Sequence, residues 1–289
     1  MAGSACRWLL ALGVLGCLSA EAASPVWAIR GAHNTVYLAG SIHLLPEAEA
    51  ALPPGFDRAY ADSSRLVMEI DLGKVDPSAA LGTLLEHGGL AEGASLRELA
   101  GAARYARASA AAAALGLPAL AMDHEAPWMV GLQLTELEYA RLGFDPQQGV
   151  EQQLLGRALA DHKSTAGLES LADEMSVFEA LAPQAQLRFL DMVLDDLDDT
   201  GNETRTVLSA WRRGDAPQLA ALLAAEYRSF PALYDSLVTD RNRHWLPQIE
   251  RLLHGDENCL VVVGALHLVG RDGLLEALRK DGHAPQQLE

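Results

Sequence analysis

The sequence predicts a mixed α/β protein, with a central mixed sheet built from strands near the two ends of the chain and a large helical insertion at about residues 77–253. Three observations predict it. Apolar, Val- and Ile-rich runs with strand patterning cluster before residue 72 and again after residue 258. Helix-opening signals and Ala- and Leu-rich stretches fill the interval. No linker rich in Pro, Gly or Ser divides the chain, so the terminal strands must meet in one sheet and residues 24–289 read as a single domain.

At the amino terminus, Arg7 precedes an apolar stretch over residues 8–18, and Ala20-Glu21-Ala22 supplies small residues at the spacing a signal peptidase reads. Residues 1–23 therefore read as an export signal, which places the mature protein in the periplasm or outside the cell. At about eleven residues the stretch is too short to span a bilayer. The only other apolar run, 259–270, is shorter than a span and holds a histidine, so no integral membrane span is expected. Val14-Leu15-Gly16-Cys17 offers a second reading as a lipid-attachment box, which Leu15 fits poorly.

Val26-Trp27-Ala28-Ile29 reads as the first strand, and 31–34 as a hairpin turn into a second strand that reaches Gly40-Ser41-Ile42-His43 and gives way at Pro46. The third strand, 65–71, is apolar for several positions, buried on both faces, and ends on Glu69 and Asp71. Asp76-Pro77 opens helices that run to 117, with Ser95 and Glu98 as a capping box. Helices continue over 128–160, with Asp145-Pro146 opening one of them. Residues 164–168 form a short strand ending at Glu169, and helices resume from Ser170 to about 253. Cys259-Leu260-Val261-Val262-Val263 is the last strand; Gly264-Ala265-Leu266-His267 and a closing helix over 272–280 follow it.

The charge balance, 22 Lys+Arg against 39 Asp+Glu for a net −17, repels phosphate backbones and excludes nucleic acid as a partner. Six acids and no base between 191 and 203 read as a solvated helix end or loop, because the EF-hand pattern is absent. Three cysteines, two of them in the leader, are too few for a disulfide framework or a thiolate metal site. Any bound metal must then be held by His and carboxylate, while Cys259 remains as an inert thiol in a Val-rich strand.

Chemistry concentrates where two strands end in Gly-x-x-His, at His43 and at His267. Ligands of open α/β sheets bind beyond the carboxyl edge of the strands, and Glu69 and Glu169 fall at the same kind of strand end. Imidazole nitrogen and carboxylate oxygen suit zinc, manganese, iron or cobalt, and a site with few protein ligands keeps room for water. On this reading His43, His267 and Glu69 are metal ligands, and Glu69 or Glu169 is the base. The plainer alternative makes Glu69 and Asp71 solvated strand-end acids and lets Glu169 cap the helix at Ser170. Arg241 shares a helix face with Leu237, Val238 and Trp245, so it should be paired, with Glu69 or Glu169, or else aimed at an oxyanion. His33, His87, His124, His162, His244, His254 and His283 have no comparable setting. Gly-x-Ser-x-Gly, His-Glu-x-x-His, Walker and dinucleotide motifs are absent.

At Tyr37-Leu38-Ala39-Gly40-Ser41-Ile42-His43, Glu69-Ile70-Asp71, Gly143-Phe144-Asp145-Pro146-Gln147-Gln148-Gly149-Val150-Glu151, Gly167-Leu168-Glu169, Asp240-Arg241-Asn242 and Val262-Val263-Gly264-Ala265-Leu266-His267, the chain resembles the TraB/GumN family. That family is related to the Tiki metalloproteases, within a wider group of erythromycin esterase-like and haem-uptake ChaN-like proteins. The resemblance covers nearly the whole mature chain; Ser41 stands where Thr is common. It implies that His43, Glu69, Arg241, Asn242 and His267 form the functional cluster with Glu169. It also implies a divalent metal, manganese or cobalt as in the Tiki branch, and hydrolysis of a peptide or small-molecule substrate. A metal-independent esterase and a non-catalytic haem- or ligand-binding protein are the alternatives the same resemblance carries.

Overall fold

The computed structural model describes residues 23–197 and 200–289. The leader to residue 22, with Cys6 and Cys17, lies outside the described residues, as do Asp198 and Asp199 of the acidic run. Eight strands are described: β1 (Val26–Arg30), β2 (Thr35–Ser41), β3 (Leu45–Pro46), β4 (Arg65–Ile70), β5 (Phe144–Asp145), β6 (Ser164–Glu169), β7 (Cys259–Gly264) and β8 (Gln286–Gln287).

Six of them form one sheet in the order β6-β4-β7-β2-β1-β8. Strands β6, β4, β7 and β2 are mutually parallel, with β6 at one edge, while β1 and β8 add by antiparallel pairing at the other. The expected mixed sheet of terminal strands is therefore present. Its parallel arrangement puts the carboxyl ends of β2, β4, β6 and β7 along a single edge. β7 is buried from Cys259 to Val263, the continuous apolar pattern that a central parallel strand requires. The β1–β2 hairpin closes as expected, with Gly31 N–H donating to Asn34 O at 3.0 Å. Gly40 lets the chain after β7 approach, since a Cβ there would lie 3.0 Å from Ala265 Cα.

The helical interval follows the start signals more closely than the bounds drawn from them. Asp76 caps Pro77–Gly88 by accepting from Ala79 N at 2.9 Å. Of the helices predicted over 77–117, the first stops at Gly88 and the chain restarts at Leu96, after the expected cap, in a helix that ends at Ala114. Ser95 caps that restart, accepting from Glu98 N, the half of the box that is formed. Asp145-Pro146 opens only a 3-10 turn; the following helix, Val150–Ala160, starts after Gly149. The closing helix is Leu274–Lys280, shorter than expected, and β8 beyond it has no counterpart in the sequence reading. The acidic run is not simply solvated: Arg104 holds Asp191 through two bonds of 2.7 and 2.8 Å, and Arg107 pairs with Asp195, tying helix Leu96–Ala114 to Pro183–Asp196.

Two hydrophobic cores result. One surrounds the sheet and includes Phe56, Leu66, Trp211, Trp245 and Leu260. The second lies within the helical insertion and includes Leu96, Trp128, Phe178, Phe189 and Leu190, with Trp128 stacked on Phe178 at 5.3 Å. Cys259 is a buried free thiol whose pKa burial raises, in keeping with an inert role. No helix among the described residues is long and apolar enough to cross a membrane.

Candidate functional site

Four strand ends deliver the site. Glu69 is the penultimate residue of β4 and Glu169 the last of β6, while His43 and His267 follow β2 and β7. Arg241 and Asn242 arrive from the helix Arg241–Leu253, whose inner stripe is Arg241, Asn242, Trp245, Ile249 and Leu253. A six-residue π-helical turn, Asp235–Asp240, immediately precedes it, a local irregularity frequent at functional sites.

Arg241 is the hub. Its Nη2 donates to Glu69 Oε2 at 2.6 Å, to Glu169 Oε1 at 2.7 Å and to Glu174 Oε1 at 3.4 Å, and its Nε reaches Glu169 Oε1 at 3.0 Å. Nη1 lies 3.3 Å from His267 Nε2. The expected ion pair is thus made with both glutamates at once, through Nε and Nη2, while Nη1 is left with its contact to His267. Trp245, one turn on, donates to Glu169 Oε2 at 2.9 Å and packs its ring on His267 at 4.6 Å. The plainer alternative fails at both acids. Glu69 and Glu169 are buried partners of Arg241, and the helix Leu171–Glu179 is capped by Ser170 with Asp173 in a complete box. Asp71 pairs with the exposed Lys74 at 2.7 Å, but its own side chain is only 12% exposed. Asp240 and Arg243 pair with each other at the surface.

Asn242 fixes the His267 tautomer. Its Nδ2 donates to the carbonyls of His267 and Asp272, both at 3.0 Å, so its Oδ1 must accept from His267 Nδ1 at 2.9 Å. His267 then carries its proton on Nδ1 and keeps the Nε2 lone pair. Burial first, then the nearby Arg241 and His43 charges, drive its pKa down to about 4 against the attraction of Glu69. At neutral pH His267 is uncharged.

His43 is different in kind. Its Nδ1 meets Glu151 Oε1 at 2.8 Å, and the charge of Glu151 raises its pKa to about 10. The side chain is 59% exposed, so solvent screens part of that attraction. Gly149 permits the pairing, because a Cβ there would overlap the His43 carbonyl where the two loops cross. Burial pushes the Glu69 carboxyl up, but His267, Arg241 and His43 outweigh it and hold it at about 2. With His267 neutral, Arg241 and His43 exert that pull at pH 7. Glu174 goes the other way: burial, and then its glutamate neighbours, raise it against Arg241.

Every residue the sequence singled out is therefore brought to one edge: His43, Glu69, Glu169, Arg241, Asn242 and His267. Glu151 and Glu174 were missed as site members. Both sit in the first turn of a helix, where an acid is ordinarily explained by the helix dipole, and only the Gly149-Val150-Glu151 stretch carried a signal.

The space among these groups bears on a metal. An ideal Cβ on Gly264 would lie 3.4 Å from Glu69 Oε1, 3.5 Å from His43 Nε2 and 3.6 Å from His267 Cδ2, so the glycine leaves a small cradle bounded by one carboxylate and two imidazoles. That donor set fits a divalent transition metal. Among the described residues, the one group of His, Cys, Asp or Glu whose ligand atoms lie within 4.8 Å of one another is Glu69, Glu169 and Glu174, so His43 and His267 would have to draw closer to Glu69 to share an ion with it. The Arg241 guanidinium already serves as the cation of that cage.

A parallel-sheet α/β protein with a buried Arg–carboxylate hub and two strand-end histidines is the class that fold and site define. The particular family follows from comparison: the TraB/PrgY/gumN family model matches residues 25–287, and the chain belongs to that family. It is 25% identical over 243 residues to the uncharacterized protein YbaP of Escherichia coli (strain K12), covering 84% of this chain and 87% of YbaP. The uncharacterized protein YbaP of Shigella flexneri is similar to the same extent. No solved structure matches the chain significantly.

Proposed function

We propose that this chain is a metal-dependent hydrolase, with peptides as the substrate class, exported by its leader to the periplasm or beyond. The observation that carries the reading is the arrangement of the two histidines around the Gly264 cradle. His43 is held at Nδ1 by Glu151, and His267 at Nδ1 by Asn242 Oδ1, which leaves the Nε2 atoms for an ion, His43 giving up its second proton to bind it. An oxygen acceptor on the far nitrogen is the usual outer support of a metal-binding imidazole. His43, His267 and Glu69 would hold the ion, and His267 would give up its weak contact with Arg241 to do so. A bound manganese or cobalt, or zinc or iron, would polarise a scissile carbonyl and make water acidic enough to ionise near neutral pH.

The residues of the chain do the rest. Arg241 keeps Glu69 ionised and holds Glu69 and Glu169 in place, and Asn242 keeps the His267 lone pair turned inward. The test is hydrolysis of a quenched-fluorescent mixture of short peptides by residues 24–289 with added manganese, cobalt or zinc. Cleavage that EDTA stops and metal restores is expected. Cleavage of esters unaffected by EDTA would favour the metal-free reading, and a Soret band on haem addition without any turnover would favour the binding protein.

A further inference from the structure

We propose that Glu174 is the general base of this site, an inference that rests on the hydrolase reading above. Glu69 accepts from Gly264 N at 2.6 Å on Oε1 and from Arg241 on Oε2. Glu169 accepts twice from Arg241 on Oε1 and from Trp245 on Oε2, and its side chain is 3% exposed. Neither offers a solvent-facing oxygen to a water: Glu69, 10% exposed, is the carboxylate that would hold the ion, and Glu169 carries three donors and is nearly sealed. Glu174 makes a single 3.4 Å contact to Arg241 and is 27% exposed, yet one of its oxygens lies within 4.8 Å of oxygens of both other acids.

The neighbourhood leaves Glu174 available. Its helix, Leu171–Glu179, is capped by the Ser170–Asp173 box, so Glu174 has no capping duty. The helix is also anchored from the other side by Pro77–Gly88 through the His87–Glu179 pair at 2.6 Å. Glu151, the other acid the sequence missed, is committed to His43. Glu174 is thus the site carboxylate that is positioned, reachable and unsaturated.

In the reaction Glu174 takes one proton from a water as that water's oxygen bonds to the acyl carbon. As the C–N bond of the tetrahedral species breaks, the carboxyl returns the proton to the departing amine, so the carboxylate is regenerated and water is consumed. The role that residue pattern offered to Glu69 or Glu169 passes to Glu174, leaving Glu69 to hold the ion and Glu169 to hold Arg241.

Two arms test it on residues 24–289 loaded with manganese. In the first, carbodiimide with glycine ethyl ester labels free carboxyls, and peptide mass spectrometry locates them; Glu174 is expected to be labelled while Glu69 and Glu169 are not. Preferential labelling of Glu69 or Glu169 overturns the proposal. In the second, Glu174→Gln is expected to lower kcat on the peptide mixture about 100-fold, with KM and bound manganese unchanged, and Glu174→Ala to regain rate with added formate. Glu174→Gln turning over at the wild-type rate refutes the role while leaving the hydrolase reading intact. A wild type inert to the peptides with every metal refutes that reading, and the base role with it.

Discussion

Arg241 has a strong energetic signature because it answers three acids. Removing one partner of a buried ion pair leaves uncompensated charge and costs about 3–5 kcal/mol. Arg241→Met is therefore expected to lower stability at pH 7 by that order, measured by urea denaturation. The loss should shrink as pH falls and the stranded carboxylates of Glu69 and Glu174 take up protons. A variant equally unstable at pH 7 and pH 4.5 would show that the acids were not the reason. Arg241→Lys should recover only part, since an ammonium cannot reproduce the Nε and Nη2 bonds that hold Glu169.

The residue scale is also where the sequence was most legible. Glu69, Glu169, His43 and His267 could be placed because strand ends in a parallel sheet share an edge, and Arg241 because a charge on an apolar helix stripe must be paired. What could not be read was saturation. Residue spacing does not reveal that three acids surround one guanidinium, so an arginine equally suited to an oxyanion turns out committed to acids through Nε and Nη2.

At the scale of elements, the start of helix Val150–Ala160 positions one half of the site. Gly149 is the contact point, and Gly149→Ala is expected to push the helix away from the His43 loop and break the His43–Glu151 pair. The check is NMR of the His43 ring, whose raised pKa should fall back toward 6.5, with a lower melting temperature. An unchanged His43 titration would refute the coupling. Strong caps such as Asp76 and Ser95 were readable because their side chains bond neighbours close in sequence. The break after Gly88 was not, because it is set by a distant contact: Gly89 bridges Glu125, and the Gly88 carbonyl accepts from Ala126 N. β8 was equally unreadable; it is two exposed residues that become a strand only by pairing with Trp27 and Ala28.

For the whole molecule, the two histidines shape stability in opposite directions when no metal is bound. His267 has its folded pKa depressed to about 4 from 6.5, so between those values the unfolded chain binds more protons, and stability is lost as pH falls through that window. His43 is raised to about 10, so its contribution is complete below 6.5 and is lost as pH rises through 10. Glu69, held at about 2, acts only below its ordinary 4.5. Metal-free protein should accordingly be most resistant to urea near pH 6.5. Glu174, raised by burial, opposes His267 in the lower part of the acid window, so the comparison with His267→Gln isolates the effect: that variant should have a flatter acid limb, and His43→Gln a flatter alkaline one. An acid limb unchanged in His267→Gln would contradict the assigned burial of a neutral imidazole.

The central claim is that the Gly264 cradle is a metal site, and counting metal tests it most directly. Residues 24–289, loaded with manganese and desalted, should retain about one ion per chain. His43→Ala and Glu69→Gln should retain almost none. Gly264→Ala is the sharpest variant, because the added methyl would stand at ordinary contact distance from Glu69, His43 and His267, and so should fill the cradle without unfolding the chain. A folded Gly264→Ala protein without metal is the predicted result. Wild type and all three variants with the same negligible content of manganese, cobalt, iron and zinc would contradict the account.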